Sequence, residues 1–349
     1  MINSKFLFGL VNKYFLNKWN FAKYDIFYII ENADWSIKWD GLNLEKCIKN
    51  LKVTTSSHGL KGKIIHFGTN NIYNTELDKN NRSILTYFHI SPNDPMQEKI
   101  AEISKSLKFI HTSCKITRNK LIKLRVPSKK IVVIPIPVDL SIFKKISEEK
   151  RNTIRSSLGI EKDKIVIGLF QKDGVGWGEG NEPKLIKGPD IFCDVVEKLA
   201  EKYPIHVLLT GPARGYVKKR LKKASIPFTH KYLKNYPEIV NYYNVLDLYL
   251  VTSRVEGGPK AILESMACGV PIVSTKVGQA PDIIQNEKNG FLAEIEDKKK
   301  MAEYASKVLD NPKIRGELIK NGLKTAKKYE LKKIAREYYK KLYSPLLKR

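Results

Sequence analysis

Runs of strand length alternate with helical patterns along almost the whole chain, and this alternation restricts the fold more than any other feature. The runs are rich in β-branched and aromatic residues. They are residues 24–30, 63–67, 84–89, 109–111, 131–134, 164–170, 206–210, 227–230, 246–251 and 271–274. The helical stretches between them include 96–107, 115–124, 187–202, 213–224, 259–268 and 298–310, with a basic helical stretch over 311–341. Strand–helix alternation predicts parallel sheets joined by right-handed crossovers.

The length of the chain argues against a single hydrophobic core. Its 349 residues predict two domains. Residues 135–150 carry two prolines and a charge cluster, which is typical of a linker. We therefore expect an α/β protein of two Rossmann-like, doubly wound domains facing a cleft, over 1–145 and 146–325. Residues 326–349 would form a helix that returns toward the first domain. Ligands of such sheets bind at the carboxyl ends of the strands.

The charge of the chain is strongly positive. There are 63 Lys and Arg residues against 36 Asp and Glu, a net charge of +27. Such an excess attracts phosphates, nucleic acid or an anionic membrane face. A general richness in Lys, Asn and Ile explains the charge equally well, so charge alone does not choose a partner.

The first 24 residues alternate aromatic and apolar side chains with lysines. This pattern suits an amphipathic helix on a membrane surface, and it suits a helix packed on the domain equally well. No apolar run reaches the length that spans a bilayer, and no small-residue cleavage site follows the short apolar stretch. We expect a cytoplasmic protein, with peripheral association with the cytoplasmic membrane face as an open alternative.

The four cysteines lie far apart and form neither a CxxC pair nor a metal-ligand spacing. They are Cys47, Cys114, Cys193 and Cys268. A chain this long with so few cysteines is not a disulfide scaffold. We expect buried, reduced thiols.

Residues 250–292 are the most informative segment, and they read as strand, tight loop, helix, strand, loop and helix. Gly257 and Gly258 let the backbone approach a ligand closely, and Pro259 suits the first helical position. The loop would then aim unpaired N–H groups and the positive end of a helix dipole at a ligand. The segment predicts an anion site.

Two glutamates accompany this loop. Glu256 precedes the predicted helix and Glu264 lies inside it. A carboxylate beside a phosphate is repelled, so we expect both to accept hydrogen bonds from neutral hydroxyls, as sugars and ribose supply. Paired carboxylates also suggest a glycosidase. We reject that alternative because Glu264 is held in a helix and the neighbouring positions favour phosphate.

Residues 250–292 resemble the donor-binding signature of retaining glycosyltransferases of the GT-B fold, family 4, the glycosyl transferases group 1 type. That signature has two glutamates with seven residues between them, a small-residue helix, a Gly-Val-Pro turn with its strand, and an Asn-Gly-Phe turn. The matching positions are Glu256, Glu264, 265–267, 269–271, 272–274, Gly278, 282–284, Asn289, Gly290 and Phe291. Residues 132–145 are similar to the family's interdomain segment, although Ile136 and Pro137 replace its usual Asn-Gly. The likeness covers roughly residues 84–330.

The resemblance implies that a pair of cations neutralises a leaving diphosphate. Lys187, before Gly188, matches the family's lysine, and Lys172 stands where the family usually has arginine. Lysine is a point charge and not a bidentate fork. Two cations and a helix N-terminus can act without a metal. The chain has no Asp-x-Asp triplet, so we expect no metal and no cofactor beyond the nucleotide-sugar co-substrate.

The same resemblance implies the other site residues. His89, expected at the carboxyl end of a strand, would contact the transferred sugar and complete a catalytic group with Glu256 and Lys187. The residues expected to bind the donor are Lys172, Gly257, Gly258, Pro259, Glu264, Gly211 beside the nucleotide, and Tyr232 near the base.

On the acceptor side we expect Asp34 and Trp35, which follow the first strand. Trp177 lies in a glycine-rich stretch, residues 173–183. That stretch is either flexible filler or a mobile flap on which Trp177 stacks on a sugar face.

These residues and the resemblance imply a retaining, hexosyltransferase-type enzyme. It would move a sugar from a UDP- or GDP-linked donor to a glycan or lipid-linked acceptor in cell-surface polysaccharide or glycoconjugate synthesis. One alternative is a basic, non-catalytic protein that binds nucleic acid or membrane. No nucleic-acid motif accompanies the charge, so we do not expect nucleic acid as the partner. The other is a nucleotide-sugar epimerase of the same fold.

Overall fold

The computed structural model describes residues 23–31, 36–70 and 80–347. The chain divides into two compact units. The first comprises Met1–Ile136 and Leu331–Arg349, and the second comprises Pro137–Glu330. Each unit contains a six-stranded parallel sheet with helices between the strands. This is the GT-B architecture that the strand–helix alternation and the resemblance predict.

The first unit has the strand order β2-β1-β3-β4-β5-β6. Its elements are β1 (Ile26–Ile29), α1 (Ser36–Cys47), β2 (Leu51–Thr54), β3 (Ile64–Phe67), β4 (Arg82–Thr86), α2 (Met96–Ser106), β5 (Phe109–Thr112), α3 (Lys115–Lys123) and β6 (Ile131–Val133). All four residues of β1 and of β3 are buried. Such continuous apolar strands are typical of a parallel sheet covered on both faces.

The second unit has the strand order β12-β11-β10-β7-β8-β9. Its elements are α4 (Glu148–Ser157), β7 (Ile165–Leu169), α5 (Pro189–Ala200), β8 (Ile205–Thr210), α6 (Gly215–Lys223), β9 (Phe228–Lys231), α7 (Ile239–Asn244), β10 (Leu248–Val251), α8 (Lys260–Ala267), β11 (Ile272–Thr275), α9 (Ala280–Ile283), β12 (Phe291–Ala293), α10 (Lys298–Asp310) and α11 (Pro312–Lys328).

The C-terminal segment consists of α12 (Leu331–Tyr338), a π-helical turn (Tyr339–Tyr343) and α13 (Ser344–Leu347), and it belongs to the first unit. The Tyr343 hydroxyl lies 2.7 Å from His66 Nδ1, and the Tyr338 hydroxyl lies 3.1 Å from His111 Nε2. The Thr86 hydroxyl joins the two rings, 2.7 Å from His66 and 2.9 Å from His111. Burial lowers the pKa of His111 to about 4 and that of His66 well below its usual value. Neutral imidazoles therefore hold this segment on the sheet.

Three details of the predicted helices and strands were wrong. The predicted linker over 135–150 contains the start of a helix, because Ser147 caps α4 by accepting a hydrogen bond from the Lys150 N–H at 3.3 Å. The predicted strand over 84–89 ends at Thr86. The short strands β2 and β12 were not expected. Strands of three or four residues give too little periodicity to detect.

Among the residues that the structure describes, no helix combines the length and apolar character needed to cross a bilayer.

Candidate functional site

Strand order brings the candidate donor residues of the second unit to one edge of its sheet. In the order β10-β7-β8-β9, the carboxyl ends of four neighbouring parallel strands lie side by side. Glu256 follows β10, Lys172 follows β7, Gly211 follows β8 and Tyr232 follows β9. Ligands of open α/β sheets bind at this edge. The four segments are far apart in sequence, so only the sheet brings them together.

An ion pair lies at the centre of this edge. Lys187 Nζ donates to Glu256 Oε1 at 2.6 Å, and the two side chains are 19% and 12% exposed. The Ser253 hydroxyl lies 3.0 Å from the same oxygen and 3.2 Å from Gln171 Oε1. Gln171 Nε2 donates to the Lys187 carbonyl at 2.7 Å. The four side chains form one polar network between β7 and β10.

Gln171 and Ser253 were not predicted as site residues. Each is the second residue past the end of its strand, β7 or β10. A polar residue at that position in a parallel sheet is a signal that could have identified both.

Gly188 fixes the backbone that carries Lys187. It adopts a φ of +63°, and an added Cβ would lie 1.9 Å from the Thr252 carbonyl oxygen. The Thr252 hydroxyl donates to the Gly188 carbonyl at 2.8 Å. Only glycine combines this conformation with this close approach. Close contact with Thr252 therefore requires the glycine of this Lys-Gly pair, and the same contact sets the backbone position of Lys187.

The loop before α8 rests on a second glycine. Gly278 has a φ of +51°, and an added Cβ would lie 2.4 Å from the Gly257 carbonyl oxygen and 2.9 Å from that of Glu256. Pro259 is the residue before the helix, with φ −60° and ψ 107°, and α8 begins at Lys260. Pro259 was expected at the first helical position, and it lies one residue before that position. The Gly257-Gly258 loop does lead directly to a helix N-terminus.

Three lysines raise the positive potential around the ion pair. The pKa of Lys184 is lowered by burial, then by the charges of Lys187 and Lys172, and Glu256 partly opposes this. Lysines depress one another's pKa in this way only when they are close. Lys184 was not among the expected site residues, because in a lysine-rich chain its sequence position carries no signal.

The glycine-rich stretch 173–183 is held at several points. The Val175 N–H donates to the Glu182 carbonyl at 2.9 Å, which closes the loop on itself. The backbone N–H groups of Gly215 and Tyr216, at the start of α6, donate to the carbonyls of Glu179 and Gly180 at 2.6 and 2.9 Å. These bonds satisfy N–H groups that a helix start leaves unpaired.

A buried ion pair fixes the base of this loop. Arg214 Nη1 donates to Asp173 Oδ2 at 2.7 Å, and neither side chain is exposed. Breaking such a pair leaves a buried charge without its partner, which is strongly unfavourable. The base of residues 173–183 is therefore anchored, and their expected role as flexible filler or a mobile flap stays a prediction. Trp177 nevertheless stays 63% exposed, and Lys172 Nζ lies 3.9 Å from its ring centroid.

Glu264 is buried within α8. It accepts a hydrogen bond from the Tyr243 hydroxyl at 2.8 Å and another from the Tyr236 hydroxyl. Burial and the Glu264 charge raise the pKa of Tyr243 well above its usual value, so this hydroxyl remains a donor. Each carboxylate oxygen can accept further bonds. Tyr236 and Tyr243 thus orient the carboxylate, and neither was predicted.

The residues expected near the nucleobase occupy the far end of the same edge. Gly211 ends β8 with a φ of +80°. His230 Nε2 lies 2.7 Å from the Gly211 carbonyl oxygen, which joins β9 to this turn. Tyr232 is 70% exposed. A ring so exposed is free to stack on a flat ligand.

The structure gives less information on the site residues expected in the first unit. His89 lies in the loop that follows β4 and is half-buried. Asp34 and Trp35 lie outside the residues that the structure describes, as does most of the predicted amphipathic segment 1–24. The roles of all three side chains stay predictions. In the described ranges, no group of three or more His, Cys, Asp or Glu residues is arranged to hold a metal ion.

Residues 183–325 match the sequence model of the family described as "Glycosyl transferases group 1". This region contains Lys187, the loop at Glu256 and Glu264, which carry most of the polar network described above. The match covers most of the second unit. The resemblance on which the sequence analysis relied is confirmed there.

The chain is similar to the lipopolysaccharide core biosynthesis mannosyltransferase LpsB of Rhizobium meliloti. The identity is 27% over 193 residues, 52% of each protein. It is 28% identical over 203 residues to an N,N'-diacetylbacillosaminyl-diphospho-undecaprenol α-1,3-N-acetylgalactosaminyltransferase of Campylobacter jejuni, covering 58% of this chain and 50% of that protein. The chain thus spans about half the length of these curated relatives.

Solved structures share the fold over nearly the whole chain. The structure of HepE from Anabaena, in complex with UDP and glucose, superposes with a TM-score of 0.74 at 15% identity. That comparison covers 92% of this chain and all of HepE. At this identity the likeness shows the fold.

Proposed function

We propose that the protein transfers a sugar from a nucleoside diphosphate sugar to a glycan or lipid-linked acceptor, with retention of anomeric configuration. One observation carries the proposal. Lys187 and Glu256 form a partly buried ion pair at the carboxyl edge of the sheet, in a network that the group 1 family region mainly supplies. This edge presents cations for a diphosphate and a carboxylate for sugar hydroxyls.

The proposed donor site follows from the charges. Lys187 and Lys172 contact the diphosphate, and the N-terminus of α8 adds partial positive charge. Gly257 and Gly258 let the phosphates approach the backbone. These groups stabilise the charge that develops as the nucleoside diphosphate leaves. The chemistry therefore needs no metal.

The two glutamates contact different parts of the donor. Glu256 accepts hydrogen bonds from the transferred sugar, and the contact of His89 with that sugar stays a prediction of the family resemblance. Glu264 accepts hydrogen bonds from the ribose, with its carboxylate oriented by the hydroxyls of Tyr236 and Tyr243. Gly211 and Tyr232 line the base, and Trp177, Asp34 and Trp35 contact the acceptor.

The relatives support this choice of substrates. HepE was solved with UDP and glucose, and the Campylobacter relative is named for a diphospho-undecaprenol acceptor. We propose a UDP- or GDP-linked donor and an acceptor of the cell surface for this chain by that likeness.

The test is a panel of nucleotide sugars, with donor hydrolysis and the melting temperature as readouts. We expect one UDP- or GDP-linked sugar to be hydrolysed slowly and its nucleotide to raise the melting temperature. The Lys187→Met variant should lose both effects, whereas Lys219→Met on the exposed surface of α6 should retain them. Stabilisation by neither nucleotide would contradict the proposal, and donor interconversion without release of nucleotide would favour an epimerase.

A further inference from the structure

One stretch of the first unit combines many basic residues with no acidic residue. Of the 35 residues from 104 to 138, nine are Lys or Arg and none is Asp or Glu. A uniform spread of the +27 net charge would give a stretch of this length about +3. The stretch therefore carries more positive charge than the average composition of the chain predicts.

The fold gathers much of this charge at one end of the sheet. Lys108 directly precedes β5 and Lys129 lies two residues before β6, so both lie at the amino ends of neighbouring strands. Helix α3 runs back from the carboxyl end of β5 to the start of β6, which brings Lys123 and Arg125 to the same end. We call these four residues, with Lys120 and Ile122 of α3, the basic edge.

The side chains of the basic edge face solvent. Lys108, Lys120, Lys123, Arg125 and Lys129 are all exposed. The neighbouring Lys130 differs, because its ammonium donates to the last carbonyls of α2, including that of Ser104 at 2.6 Å. The pKa of Lys130 is lowered by burial and then by Lys108 and Lys129, which confirms that these charges are close together.

Ile122 gives this surface an apolar contact. It is 37% exposed on α3, between Lys120 and Lys123 in sequence. Cationic side chains around an exposed apolar residue on a surface helix are typical of contact with a lipid headgroup layer. Single-stranded nucleic acid would instead require exposed aromatic rings for stacking, and residues 104–130 contain one aromatic side chain, Phe109, within β5.

We propose that the basic edge binds the surface of an anionic lipid bilayer. Because ligands of parallel sheets bind at the carboxyl ends of strands, this amino-end surface is separate from any substrate site of the first unit. The proposal does not depend on the proposed glycosyl transfer. Charge complementarity selects the lipid, since exposed cations near an anionic membrane each strengthen binding.

The experiment measures binding of the full chain to vesicles of phosphatidylglycerol and phosphatidylcholine, and to vesicles of phosphatidylcholine alone. The test variant is K108Q/K123Q/K129Q. The matched control is K219Q/K222Q/K223Q, which removes three exposed charges from α6 of the second unit. We expect the test variant to weaken binding to anionic vesicles on the order of 100-fold, at about fivefold per charge, and the control to change it little. High salt should abolish the difference, and donor hydrolysis should stay at the native rate in both variants.

Three results would overturn the proposal. Equal loss in both triple variants would assign binding to net charge alone. Absence of binding to anionic vesicles, or equal binding to both vesicle types, would exclude the anionic surface. Oligonucleotide binding that falls in the test variant while vesicle binding does not would replace lipid with nucleic acid. Melting temperatures near the native value show that both variants are folded.

Discussion

Exchange of Glu256 for glutamine tests the proposed reaction most directly. Glu256 Oε1 accepts a hydrogen bond from Lys187 at 2.6 Å and lies 3.0 Å from the Ser253 hydroxyl. A glutamine keeps the shape and an acceptor oxygen but removes the negative charge. If that charge stabilises the transferred sugar in the transition state, turnover falls about 30- to 1000-fold, or roughly 2–4 kcal/mol.

The same exchange has a second expected effect, of opposite sign. In the native protein Lys187 is paired with Glu256, and in the variant its charge is no longer compensated. A free cation attracts a diphosphate more strongly. Free UDP or GDP should therefore bind Glu256→Gln as well as the native protein, or more tightly. The loss in folding stability should be small, about 1 kcal/mol, because both side chains remain partly exposed to solvent.

Donor-saturation kinetics and calorimetric nucleotide binding measure both effects. The control is Glu182→Gln, an exposed carboxylate on the neighbouring loop, which should behave as the native protein. Near-native turnover in Glu256→Gln would refute the role of the carboxylate. Loss of nucleotide binding together with turnover would show instead that Glu256 only maintains the structure of the site.

Four other expectations follow from the structure. Turnover should survive EDTA, and complete loss restored by Mn²⁺ or Mg²⁺ would contradict the metal-free mechanism. Glu264→Gln should weaken binding of donor and free nucleotide alike, by roughly 1–3 kcal/mol, and normal nucleotide binding would refute its contact with ribose. Gly188→Ala should cost about 3 kcal/mol or more in the free energy of unfolding, measured with denaturant, since the new methyl meets backbone, whereas Gly178→Ala, with open space around it, should not. His66 and His111 are neutral when folded and protonate on unfolding, so stability should fall as pH drops from 6.5 toward about 4, by up to about 1.4 kcal/mol per pH unit for each ring. Thermal melts of the native protein and His111→Gln should show the smaller pH dependence in the variant.

The sequence predicted the class of fold because parallel strands buried on both faces leave long apolar runs. It predicted Lys187 and Glu256 as site residues because the motifs that contain them resemble the signature of a known family, and Lys187 lies beside a glycine that the backbone requires. It did not predict their ion pair. That contact depends on β10 lying next to β7, and sheet order is set by packing between segments about 80 residues apart.

The buried polar partners were harder to predict. Tyr236 and Tyr243 orient Glu264, and Arg214 holds Asp173, yet each of these residues has an ordinary sequence neighbourhood. Tyrosine is as common in cores as beside sites, and a lone arginine is most often exposed. Only coordinates show which polar side chains are buried and therefore need a partner.

The position of the charged residues in the first unit distinguishes substrate binding from membrane binding, which the net charge alone does not distinguish. A donor or acceptor site requires cations at the carboxyl ends of strands, where loops and helix N-termini converge. The basic edge lies at the opposite ends of β5 and β6, where Lys108 and Lys129 precede the strands. Neutralising it should change vesicle binding without changing donor hydrolysis, and neutralising Lys187 should do the reverse. If one variant changed both vesicle binding and donor hydrolysis, the basic edge and the donor site would not act independently, and the net charge of the whole protein would be the simpler explanation.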